Sequence, residues 1–139
     1  MLIAGLIFAC SCKKHSENSG GHSHSPQGAE VFIISPVDGD TVASPVTVKF
    51  GIKGMEVAPA GTDKPHSGHH HLLIDLNELP DMSVALPADE HHKHYGKGQT
   101  ETSIELSPGV HTLQLILGDK DHVPHNPPVI SEKITITVK

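Results

Sequence analysis

The sequence predicts an all-β chain: an immunoglobulin-like antiparallel β-sandwich with a flexible N-terminal tether. Three observations predict it. Apolar and polar residues alternate at period two over short stretches, as in Val46-Thr-Val-Lys-Phe-Gly-Ile52. Proline and glycine, 11 and 13 in a chain of 139 residues, recur too often for helices of ordinary length. Turn combinations such as Ser35-Pro-Val-Asp-Gly-Asp40 and Ser107-Pro-Gly109 separate the apolar stretches.

Taken in order, residues 1–12 read as a lipoprotein signal segment. The stretch before Cys10 is apolar and much shorter than the roughly 20 residues that span a bilayer. Ile7-Phe8-Ala9-Cys10 resembles a bacterial lipobox, whose cysteine is lipidated after cleavage. Cys10 is the expected lipidation site, with Cys12 as the alternative. Such an anchor implies an extracytoplasmic, membrane-attached protein facing the periplasm or the cell surface. Residues 13–29 hold Ser, Gly, His, Asn, Pro and Gln and no large apolar side chain. They cannot bury enough surface to offset the entropy of ordering, so they read as a disordered polar tether.

Residues 30–139 read as one domain, since about 110 residues suffice for a single core. Glu30–Ser35 is the first expected strand. In the second, Val46, Val48, Phe50 and Ile52 face the core. Further strands are expected at His69–Leu76, Thr100–Leu106, Val110–Leu117 and Val129–Val138. Six short strands with these turns give the sandwich.

Composition removes several functions. The net charge is −6 with histidine neutral, and all ten basic residues are lysine, which leaves no nucleic-acid footprint. One Tyr and no Trp leave little for stacking on bases or sugars. No cysteine follows Cys12, so a disulfide, a cysteine-based zinc finger and a blue-copper centre are excluded from the domain.

What remains is histidine, at 13 residues. The histidines fall in runs: His66-Ser-Gly-His-His-His71, His91-His-Lys-His94, His122-Val-Pro-His125, and the pair His22 and His24 in the tether. Neutral imidazole offers a lone pair without a charge penalty, and an all-histidine set suits copper, zinc or nickel. His69 and His71 share one strand face, about 6–7 Å apart, and their rings can reach one ion at about 2.0–2.1 Å. In immunoglobulin order the strand at His69 lies antiparallel to the strand at Val110. That places His69 and His71 near residues 118–125 and brings the start of the Thr100 strand, with His94 before it, to the same end. The expected ligands are His69, His71 and His94 with His122 or His125. Asp119 or Asp121 is expected as an oxygen ligand or as an acceptor for a ring N–H. His70, His91 and His92 are expected in solvent, and His111 at the far end as a core or rim residue.

The opening ISPVDGDTVASPVTVKF resembles that of many bacterial immunoglobulin-like periplasmic domains, the copper-binding CopC-like family among them, whose ligands do not map onto this chain. GHHHLLID, HYGKGQTE, GVHTLQLILGD and HVPHNPPVISEKI together resemble the bacterial family catalogued as domain of unknown function 4399, over nearly all of residues 30–139. That resemblance implies the fold and an extracytoplasmic setting, and no activity.

Three functions follow as expectations. The first is a lipoprotein domain that binds copper or zinc for buffering, scavenging or delivery, with the metal ion, the membrane and an extracytoplasmic metal-handling protein as partners. The second is a structural or adhesion module without metal. The third is a histidine-metal enzyme, in which an open coordination position activates water.

Overall fold

A computed structural model describes residues 22–139. The expectations for Cys10, Cys12 and residues 13–21 lie outside the described residues.

The all-β sandwich is what the chain forms. β1 (Glu30–Ser35), β3 (Val46–Lys53) and β7 (Glu101–Ile104) make one antiparallel sheet in the order β1-β3-β7. β2 (Thr41–Val42), β9 (Ile134–Val138), β8 (Gly109–Gly118), β5 (Ser67–Ile74) and β4 (Glu56–Val57) follow one another across the second. β6 (His92–His94) pairs with β5 off that path. Among the described residues there is no helix.

The alternation expected of β3 holds. Val46, Val48 and Phe50 are buried, while Thr47 and Lys49 are exposed between them. Across the gap, β8 sends Leu113, Leu115 and Leu117 inward, and β9 sends Ile136 and Val138. Leu72 and Ile74 of β5 join the same core. Burying each of these side chains contributes about 1.5–3 kcal/mol relative to exposure.

β5 departs from simple alternation, because all eight of its residues are buried. Its inner face meets the sandwich core. On its outer face Leu73 packs with Ile116 of β8 and with Leu86, under cover of Leu76, Met82 and Ile130. The segment after β5 and the segment after β8 thus fold over the outer face of the second sheet.

Other differences from expectation have local causes. The final strand is divided. Residues 129–131 bond β8 through Leu117 N–H to Val129 O (2.9 Å) and Ser131 N–H to Leu115 O (2.9 Å), and β9 begins only at Ile134. Residues 22–29, assigned to the tether from composition, lie against the domain. His24 bridges Asn126, Asn126 N–H donates to Ser23 O at 3.0 Å, and the Ser25 hydroxyl donates to Pro127 O at 2.6 Å. The segment is held by backbone and hydroxyl hydrogen bonds, which a count of apolar side chains does not register.

The core predicts its own sensitivity. Leu115→Ala, at a fully buried position, should cost about 2–5 kcal/mol in denaturant unfolding. Val110→Ala, two-thirds exposed on the same strand, should stay within about 0.5 kcal/mol of wild type. Equal losses at the two positions would contradict this placement of the core.

Candidate metal centre

The outer face of β5 carries His69 and His71. They precede Leu73 on that face, while His70 points with Leu72 and Ile74 toward the sandwich core. The two outer rings lie with centroids 4.7 Å apart and Nε2 atoms 2.9 Å apart. β6 pairs antiparallel with β5 so that His94 stands directly opposite His71. The His94 ring is 5.1 Å from that of His71 and 5.0 Å from that of His69. His122, in the turn after β8, brings Nδ1 to 3.0 Å from His69 Nε2 and its ring to 4.4 Å from His94. Each of the four rings offers a nitrogen, and those nitrogens all lie within 4.8 Å of one another.

Two glycines make room for the rings. Gly118 is the β8 partner of His69, and a Cβ there would sit 2.8 Å from His71 Nε2. A Cβ at Gly96 would sit 2.5 Å from His94 Nε2. Neither separation is tolerable, so a side chain at either position would displace a ring from the cluster.

Asp119 shapes the turn that presents His122. Its buried carboxylate accepts the Asp121 N–H (2.8 Å), the Val123 N–H (3.0 Å) and the Ser23 hydroxyl (2.9 Å). The His122 N–H donates to Asp119 O at 2.9 Å. His122 itself has φ of 66°, a left-handed conformation that few non-glycine residues adopt and that surrounding structure must impose. Asp119 therefore acts on the backbone of the turn. Asp121 is exposed and pairs with Lys120 at 2.8 Å. The carboxylate roles expected from the sequence give way to a positioning role for Asp119.

Burial and crowding keep His69, His71 and His94 neutral. Burial, followed by the neighbouring His122 and His94, pushes His69 down to about 4. Burial and then His69, His94 and His122 push His71 further, to about 2. His94 is lowered as well, by burial and by His122. At neutral pH these three rings thus present lone pairs, which is the state a metal ion requires. With bonds of about 2.05 Å, ligand nitrogens lie about 2.9 Å apart at right angles and about 3.3 Å apart at the tetrahedral angle. The two contacts of 2.9 and 3.0 Å lie within a few tenths of an ångström of both values. The far nitrogens, Nδ1 of His69 and of His71, are buried without a hydrogen-bond partner. A ring that ligates through Nε2 carries its proton on Nδ1, and leaving that N–H unpaired costs about 1–3 kcal/mol. Metal-binding histidines usually hold this proton against an oxygen, so this cluster would hold an ion more weakly than one with backed ligands.

Of the residues expected from the sequence, His69, His71, His94 and His122 come together. His125 lies outside the group, 2% exposed, with Nε2 donating to Ser67 O at 3.1 Å. His94 arrives by strand pairing along β5 rather than at the sandwich end. The expectation that His70 is solvated is overturned. It is fully buried, 5.0 Å from the Phe50 ring, with both ring nitrogens unpartnered, because β5 is covered on both faces. His92 caps a turn through Asp89 (2.8 Å), and His91 contacts Ile74 O (2.9 Å). His111 lies at the far end, between the Asp75 carboxylate and Ser107 O, at 2.7 Å from each. Sequence reasoning passed over Gly96 and Gly118. Their signal was available, since each lies close to a histidine run and beside a strand end.

Without metal, these shifts make stability fall in acid. His69 and His70 hold values near 4 in the fold, against about 6.5 in the unfolded chain. The unfolded chain binds more protons, so their contribution is complete above 6.5 and is lost as pH falls toward 4. At pH 5 each should have lost about 2 kcal/mol. His111, raised by its bond to Asp75, has the opposite sign: its contribution is lost as pH rises. Denaturant midpoints of the metal-free chain should therefore drop between pH 7.5 and 5, and less so for His70→Phe. A level wild-type profile would contradict the burial of these rings.

No curated protein and no solved structure matches the chain. A family model described as domain of unknown function (DUF4399) matches residues 48–139, which run from within β3 to the end of β9 and include all four clustered histidines. The chain belongs to the DUF4399 family.

Proposed function

We propose that this is a metal-handling domain that binds one copper or zinc ion through His69, His71, His94 and His122, as an anchored extracytoplasmic lipoprotein. The observation that carries the reading is the convergence of four imidazole nitrogens within 4.8 Å from β5, β6 and the turn after β8. Neutral rings forced together without a shared charge have buried lone pairs to satisfy, and a divalent ion satisfies them together. The general order of divalent affinities at nitrogen sites favours copper(II) over zinc.

The ligands are unequal, which supports buffering or delivery. His69 and His71 are buried on a central strand, whereas His94 is exposed and His122 partly so. An ion seated on the fixed pair is reached through the other two, so an acceptor can displace His94 or His122 first. The unpaired Nδ1 atoms keep affinity below that of a permanent site. The lipobox-like Ile7-Phe8-Ala9-Cys10 supports attachment to a membrane, with copper or zinc drawn from the extracytoplasmic space.

Titration calorimetry of copper(II) and zinc(II) into the full chain tests the centre. His69→Ala and His71→Ala should each weaken the tight ion by at least about 100-fold, and the double variant should be little worse, since ligands of one ion act as a set. Gly118→Ala should weaken it by at least about 10-fold by displacing the His71 ring, while His111→Ala should match wild type. Wild-type affinity in both strand variants would sink the reading. For the anchor, membrane fractionation of cells expressing Cys10→Ala should move the protein to the soluble fraction. Retention in the membrane would point away from Cys10.

A further inference from the structure

We infer that residues 22–25 are a strap that holds the His122 ligand in the four-histidine centre, with Ser23 as a positioning residue that acts through Asp119; it rests on reading that centre as a metal site. Hydrogen bonds lay the strap along the loop after β8. The His22 ring N–H donates to Pro124 O at 3.1 Å, the Asn126 N–H donates to Ser23 O at 3.0 Å, and the Ser25 N–H donates to Asn126 O at 3.2 Å. The hydroxyl of buried Ser25 donates to Pro127 O at 2.6 Å. One contact differs in kind, because the Ser23 hydroxyl donates to a buried carboxylate oxygen, Asp119 Oδ2, at 2.9 Å.

That carboxylate connects the strap to the ligand. Its other oxygen, Oδ1, accepts the N–H groups of Asp121 at 2.8 Å and Val123 at 3.0 Å, the two residues that flank His122. Between them His122 keeps its left-handed φ of 66° and its Nδ1 at 3.0 Å from His69 Nε2. Without the Ser23 hydroxyl, a buried carboxylate oxygen loses its donor, and the group gains by turning toward water. Turning it draws Oδ1 away from both N–H groups, and the turn gives up the conformation that aims His122. His69, His71 and His94 are untouched, because β5 and its pairing with β6 hold them.

The strap is detachable. His22-Ser-His-Ser25 has no large apolar side chain, and hydrogen bonds hold it at the edge of the domain, so it opens at lower cost than the strands. With the strap seated, an ion meets four imidazoles. With the strap lifted it keeps three and leaves faster. The strap therefore governs release.

Release of copper(II) from the loaded full chain to excess EDTA, followed by stopped flow, tests the strap. Ser23→Ala should speed release about 10-fold or more, the loss typical when a group backing a ligand is removed. Ser23→Thr, which keeps the hydroxyl, should restore the wild-type rate. Ser25→Pro, which removes the N–H to Asn126 O and the hydroxyl to Pro127 O, should speed release as well. His122→Ala should speed it at least as much as Ser23→Ala, and Ser23→Ala/His122→Ala no further, since both changes act on one ligand. In the metal-free chain, amide hydrogen exchange at Asp121 and Val123 should rise in Ser23→Ala while β5 amides stay protected, a pattern that general destabilisation does not produce. Wild-type release or unchanged exchange in Ser23→Ala, or a double variant faster than His122→Ala by the full Ser23→Ala factor, overturns the strap and leaves the centre standing. A wild type that takes up no copper(II) overturns the centre, and exchange at Asp121 and Val123 then decides whether the strap holds the turn.

Discussion

The antiparallel pairing of β5 with β8 is the constraint on which the rest depends. It sets His69 opposite Gly118, His71 opposite Ile116 and Leu73 opposite Gln114. Because side chains alternate along a strand, a slip of one residue would turn His69 and His71 into the sandwich core and bring Leu72 out. The slip is opposed from both sides. Leu72 and Ile74 are anchored among Val48, Phe50 and Leu115 on the inner face, and Leu73 against Ile116 and Leu86 on the outer. The same register supplies the empty space above Gly118 into which the His71 ring fits. A packing decision made by leucines thereby fixes where the imidazoles point.

That placement has a cost, and the cost gives the cluster its chemistry. Five ring nitrogens, on His69, His70, His71 and His125, are buried without partners. His70 lies in the apolar interior against Phe50, where no ion can relieve it. His69 and His71 differ, because their Nε2 atoms face each other and His122 Nδ1 across 2.9–3.0 Å. Neutral imidazoles have one proton each, so such contacts cannot all be good hydrogen bonds. Burial keeps added protons away, and a metal cation could satisfy several convergent lone pairs at once.

Much of this was legible in the sequence because it depends on period and on strand order. The alternation in β3 gives its inward residues, and the turn at Ser107-Pro-Gly109 sets β7 and β8 apart. Two histidines at i and i+2 before Leu-Leu-Ile share a face in any strand. Other features were hidden because they depend on what covers a surface. Nothing in His70 itself distinguishes a solvated ring from a buried one. The answer lies in residues 76–91 and 119–130, which fold over the outer face and leave the inner position to the core. His94 was expected at the right centre by the wrong route, since β6 is too short to show periodicity. His122 and His125 are equivalent as letters. They are separated by the Asp119-held turn, which aims one at the cluster and leaves the other bonded to Ser67 O. The N-terminal residues 22–25 looked unstructured because they bind through backbone and hydroxyl groups.

The location of the cluster bears on what an ion there is for. A structural metal substitutes for a core that a short chain cannot build. Here the core is built without it. Val48, Leu72, Leu113, Leu115, Leu117 and Ile136 are essentially inaccessible to solvent and lie between the sheets, on the other face of β5 from His69 and His71. The core thus lies apart from the cluster, and under the proposed function the binding energy of an ion would be available for capture. The segments that complete the centre are short ones: β6 of three residues, and a turn tied down by Asp119 and, through it, by Ser23. Such elements open at lower cost than a central strand. Under the proposed function, two rings fixed by the sandwich and two on separable elements would let an ion be taken up and given away.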